Sequence, residues 1–105
     1  YNDAAEKVDE VAERILQLGS NPESRFSAYL EVAEIKEAGV VSCSKEAVDL
    51  LLDYYKTLIA RERRIIDLAT EAHDDTTVSL MNDFLVQQEK TVWMLVAVSS
   101  QSCAE

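Results

Sequence analysis

Residues 8–37 read VDEVAERILQLGSNPESRFSAYLEVAEIKE. An amphipathic run, a glycine stop, a proline-containing connection and a second, shorter amphipathic run follow one another there, and that order decides the fold. At about 100° per residue, Ala4, Ala5, Val8, Val11, Ala12, Ile15, Leu16 and Leu18 fall on one broad apolar arc of a helix over residues 1–18. Asp3, Glu6, Asp9, Glu10 and Glu13 gather on the opposite arc. Gly19 is placed to end this helix as a C-cap glycine does. Asn21-Pro22 disfavours helix at the residue before proline. Ser24 is a candidate N-cap for a short helix over residues 25–36, with Phe26, Tyr29, Leu30, Val32 and Ile35 as its apolar side.

Outward from this stretch the pattern stays helical. AGVVSCS at 38–44 makes a second break, centred on Gly39, with Ser44 a candidate N-cap. A long helix is expected over 45–72, where Val48, Leu51, Leu52, Tyr55, Leu58, Ile59, Ile65, Ile66 and Ala69 keep the spacing of one face. HDDTT at 73–77 interrupts it, and Asp74 is the natural N-cap for a last helix over 75–98. That helix carries Val78, Met81, Phe84, Leu85, Val92, Leu95 and Val96 on one side. Its end, VWMLVAV, is apolar all round, which in a small chain points to contact with another subunit. No strand alternation or internal repeat is present. Three long helices and a short one predict an all-α helical bundle one long helix short of four. The opening YNDAAEKV reads like the middle of a helix, so the natural polypeptide is expected to extend upstream.

Composition narrows the function. The 105 residues include twenty Asp and Glu against ten Lys and Arg, a net charge of -10. Such a surface repels DNA phosphates and attracts cations. No apolar run approaches the roughly 20 residues that span a bilayer, and no secretory pattern opens the sequence. Cys43 and Cys103 lie in no CxxC pattern, and a single histidine makes a Cys/His zinc site a poor fit. Two sparse cysteines fit free thiols in a reducing cytoplasm.

Asp9 and Glu13 stand four apart on one helix face, near the edge of the apolar arc. Two carboxylates at that spacing can converge on a cation, and without one they repel by a few tenths of a kcal/mol. A solvated acidic face, with Lys7 and Arg14 as local counter-charges, satisfies the same spacing. Glu62 falls inside the apolar seam of the third helix between Ile59 and Ile66, so it needs a partner. Gln88, at the matching level of the last helix, can hydrogen-bond it; metal ligation is the alternative. His73 sits at a helix C-terminus, where it interacts favourably with the dipole. Glu71, Asp74 and Asp75 form an acidic corner that could line a cation pore around a symmetry axis, or stand as solvated helix ends. Trp93 and Met94 read as packing residues. There is no glycine-rich phosphate loop and no nucleophile with a matching base.

The stretch quoted above resembles the second-helix and connecting segment of the Dps miniferritins, whose pattern is D-E-x-A-E-R-I, a glycine, a proline-containing loop and a short helix ending in I-K-E. LATEAHDDTTVSLM at 68–81 and EKTVWMLVA at 89–97 resemble the family's turn into its final helix and that helix itself. The resemblance runs through essentially the whole chain in the right order. It implies a ferritin-like four-helix bundle with a short extra helix between the second and third long helices, here a single domain over 1–105 that lacks the N-terminal first helix. It further implies a cytoplasmic, dodecameric cage that oxidises Fe(II), typically with hydrogen peroxide, and stores ferric iron. The family's iron site joins an Asp and a Glu of the second helix to two histidines of the first-helix region across a dimer interface. Asp9 and Glu13 match that Asp and Glu; the histidines and their N-W-H motif have no counterpart here. Asp75 matches one pore acid, whereas Ser79 stands where another acid is frequent.

Three functions therefore compete. The first is a ferroxidase subunit protecting against oxidative stress, with Asp9 and Glu13 as iron ligands. The second is a non-catalytic helical oligomer without a complete iron site. The third is a DNA-compacting module, which neither acidic end of the chain favours.

Overall fold

The structure is a computed structural model and describes residues 1–99. The described residues form four helices and no strand: α1 (Asn2–Gln17), α2 (Phe26–Val32), α3 (Ser44–Glu71) and α4 (Asp75–Val98). They fall into two compact units, residues 1–33 and the described residues from 34 onward.

In the first unit, α1 stops as its glycine requires. The Gly19 amide donates to the Leu16 carbonyl at 3.0 Å, and the Ser20 amide to that of Ile15 at 3.1 Å. Those two bonds make a Schellman turn, and Gly19 takes φ +90° just beyond the last helical residues. No residue of α1 is fully buried, and Val8, Leu16 and Leu18 are exposed. The expected second helix is shorter than its periodicity implied. It runs only from Phe26 to Val32, because Ala33 turns to extended backbone. With no buried side chain, seven residues have little tertiary support for further turns. Arg25, not Ser24, is its N-cap, and no side chain caps it. Tyr29 instead donates its hydroxyl to the Glu23 carbonyl and packs edge-on against Phe26, with ring centroids 5.9 Å apart.

The second unit is built on an antiparallel hairpin of α3 and α4. One ridge of α3, formed by Val48, Leu52, Tyr55, Ile59, Glu62, Ile66 and Ala69, is buried or half-buried throughout. Thr77, Met81, Phe84, Leu85 and Gln88 form the buried ridge of α4. The α3 apolar face is wider than this seam: Leu51, Leu58 and Ile65, spaced by seven, remain exposed. Cys43, not Ser44, is the N-cap of α3. Asp74 caps α4 as expected, accepting from the Thr77 amide at 3.1 Å. Between them His73 takes φ +58°, a left-handed conformation usually left to glycine. Its amide donates to Thr70 and that of Asp74 to Ala69, at 3.1 and 2.8 Å, so α3 also closes in a Schellman turn. The expectation of a free thiol at Cys43 is corrected, since Cys43 is disulfide-bonded; Cys103 lies outside the described residues. No helix among the described residues is long and apolar enough to cross a membrane.

Candidate metal centre

Helix α1 sets Asp9 and Glu13 one turn apart. Both are exposed, and neither makes a hydrogen bond or ion pair among the described residues. Although they stand near the edge of the apolar arc, both carboxylates are open to solvent. Cations near them in sequence engage other groups: Lys7 contacts both Asp3 oxygens at 2.7 and 2.8 Å, and Arg14 donates to the Gln17 side chain at 3.1 Å. Two open carboxylates one turn apart repel until a cation sits between them. Their hard oxygen donors suit a divalent cation of the kind bundle carboxylates bind. Two donors do not complete such a site, and no group of three or more His, Cys, Asp or Glu among the described residues is arranged to hold a metal.

The acidic corner is a turn with divided labour. Glu71 ends α3 and is exposed. Asp74 is half-buried, and its carboxylate accepts from both the amide and the hydroxyl of Thr77. That geometry accounts for Asp74 as a helix cap. Asp75, exposed in the first turn of α4, complements the helix dipole and stays open to solvent. Ser79 is also exposed.

Glu62 and Gln88 meet as the helix phases predicted. The Gln88 Nε2 donates to Glu62 Oε2 at 2.8 Å, with Glu62 7% and Gln88 3% exposed. The neighbouring arginines point away: Arg61 pairs with Glu34, and Arg63 lies 3.7 Å from Glu89. The end of α4 does not bury its apolar ring within the chain; Trp93 is 67% exposed, and Met94 and Val96 are exposed beside it.

One feature escaped the sequence reading. An open groove of about 450 Å³ in the second unit is lined by Glu34 and by a stripe of α3 that includes Lys56, Ala60 and Arg64. The signal was present as two cations four residues either side of an alanine, but such a stripe reads first as a solvated face.

The fold has counterparts among known proteins. The chain matches the ferritin-like domain family over residues 1–101. It is 50% identical, over 96% of its length and 64% of the relative's, to the DNA protection during starvation protein of Porphyromonas gingivalis. A Dps protein from Vibrio cholerae, described as a member of a broad superfamily of ferritin-like diiron-carboxylate proteins, is similar in structure at a TM-score of 0.89 and 42% identity. The match covers 92% of this chain and 61% of that one. A Dps protein from Bacillus brevis follows at a TM-score of 0.87 and 34% identity, covering 92% and 65%. The all-α fold is thus the ferritin-like one. The chain belongs to the Dps miniferritins. It spans less than two-thirds of the length of each of these three relatives.

Proposed function

We propose that this chain is the iron-handling subunit of a cage that oxidises Fe(II) with hydrogen peroxide and stores the ferric product, in the cytoplasm, as a defence against oxidative stress. Asp9 and Glu13 are its contribution to the iron site. The observation that carries this reading is the pair itself: two carboxylates at i and i+4, exposed, with no cation of their own among the described residues. They match the family's Asp and Glu, and two histidines from outside this chain complete the site. Each carboxylate holds Fe(II) by charge and by hard oxygen donation. Two Fe(II) ions together supply the two electrons that reduce one peroxide to two hydroxides, so no hydroxyl radical need be released. Asp75, with Glu71 and Asp74 around the same turn, draws cations inward when subunits meet at a symmetry axis. The exposed Trp93, Met94 and Val96, with Leu51, Leu58 and Ile65 on α3, give the apolar surface that assembly into a homo-oligomer, a dodecamer, requires. The test is the rate of Fe(II) oxidation by peroxide in the natural polypeptide and in its Asp9→Ala/Glu13→Ala variant. Equal rates exclude the assignment.

A second reading is favoured by one observation, that no three-ligand group exists among the described residues. In it the chain is a non-catalytic oligomer. Iron titration combined with scattering separates the two: assembly without iron turnover supports the second, and turnover in an assembled cage refutes it. DNA compaction is disfavoured by the -10 charge, and predicts a gel shift that weakens with salt.

A further inference from the structure

Acids outnumber bases two to one in this chain, so a basic side chain seldom lacks an acidic neighbour. The groove on α3 holds two basic side chains together that pair with no acid among the described residues. Lys56, Ala60 and Arg64 follow one another at i, i+4 and i+8, putting the two cations about 12 Å apart along the helix, with the smallest side chain of the stripe between them. Both line the groove, and neither has an ion-pair partner among the described residues. Of the two groove carboxylates, Glu34 is held by Arg61. Only Asp53 remains against Lys56 and Arg64, leaving the groove locally positive on a strongly negative molecule. Lys56 and Arg64 line the groove two turns apart on either side of Ala60, and a guanidinium fork favours a planar or tetrahedral oxyanion. The Thr57 hydroxyl, on the same wall, donates to the Asp53 carbonyl at 3.4 Å and keeps its oxygen toward the groove lining as an acceptor only. The groove is open to solvent, with a volume of about 450 Å³.

From these observations we infer that the groove binds a phosphoryl group, held between Lys56 and Arg64 over Ala60. The site is separate from the proposed iron ligands and does not depend on them. The experiment is calorimetric titration of the protein with inorganic phosphate and with adenosine monophosphate, at fixed ionic strength against a chloride control. Saturable binding is expected, weakened about tenfold for each cation removed in Lys56→Gln and Arg64→Gln. Lys90→Gln, which removes an exposed cation from α4 outside the groove, should leave it unchanged. Tighter binding of the nucleotide assigns an organic phosphate, and equal binding assigns free phosphate; both support the site. No binding beyond the chloride control overturns the inference, as does undiminished binding in a Lys56→Gln/Arg64→Gln variant whose circular dichroism shows it folded.

Discussion

Gln88 on α4 donates its side-chain amide to the carboxylate of Glu62 on α3 at 2.8 Å, and both residues are buried in the seam between the two helices. A polar bond inside an apolar seam fixes register, because sliding either helix by one turn would strand both groups without water.

The first prediction concerns that bond. Glu62→Gln retains a side chain that can accept from Gln88 and should cost less than about 1.5 kcal/mol. Glu62→Ala leaves a cavity and an unanswered amide, and should cost about 2–4 kcal/mol. Glu62→Leu/Gln88→Leu removes both polar groups and should fall well below the sum of its single variants. Urea unfolding of the parent, Glu62→Leu, Gln88→Leu and the double variant measures this; strict additivity would show that the two residues do not act as a pair.

A second prediction follows from His73. Its φ of +58° is adopted at a cost by a residue with a side chain, whereas glycine adopts it freely. His73→Gly should raise stability by about 0.5–1 kcal/mol, read as a higher midpoint of thermal unfolding. A lower midpoint would mean that the imidazole makes a contact worth more than the backbone strain.

The acids of the same turn should separate by role. Asp74→Ala removes the cap of α4 and should destabilise by about 0.5–2 kcal/mol, with Asp74→Ser recovering most of it. Asp75→Asn should barely change stability, yet slow iron entry if Asp75 lines a pore. Unfolding and iron-uptake measurements on the same variants distinguish cap from pore.

Assembly gives a further prediction. Trp93→Lys places a charge at the centre of the exposed apolar end of α4 without touching the buried seam. Light scattering should show a smaller particle, while circular dichroism shows the helices retained. An unchanged particle mass would remove this patch from the interface.

Much of this architecture was legible in the residues. The 3.6-residue rhythm located α1, α3 and α4 to within a residue or so because each has a continuous apolar ridge, and Gly19 and Asp74 marked the ends by backbone chemistry alone. Glu62 and Gln88 could be paired because a carboxyl inside an apolar ridge has few alternatives. The length of α2 was not legible: its apolar spacing continues to Ile35, but no burial sustains the helix past Val32. Nor was the bonded state of Cys43, which sits in no local cysteine pattern. The left-handed backbone at His73 follows from the short connection between two helices and leaves no mark on side-chain periodicity. Asp9 and Glu13 were ambiguous for a different reason. Carboxylates at i and i+4 look alike on a helix wheel whether they meet only water or form part of a metal site, and only the family resemblance singled them out.

Anaerobic Fe(II) titration tests directly, before any oxidation occurs, whether these two carboxylates bind Fe(II). The natural polypeptide should be compared with its Asp9→Asn/Glu13→Gln variant, which keeps shape and removes charge. The tight binding phase should disappear in the variant while the helical content stays the same. Superimposable isotherms would contradict iron binding by the pair.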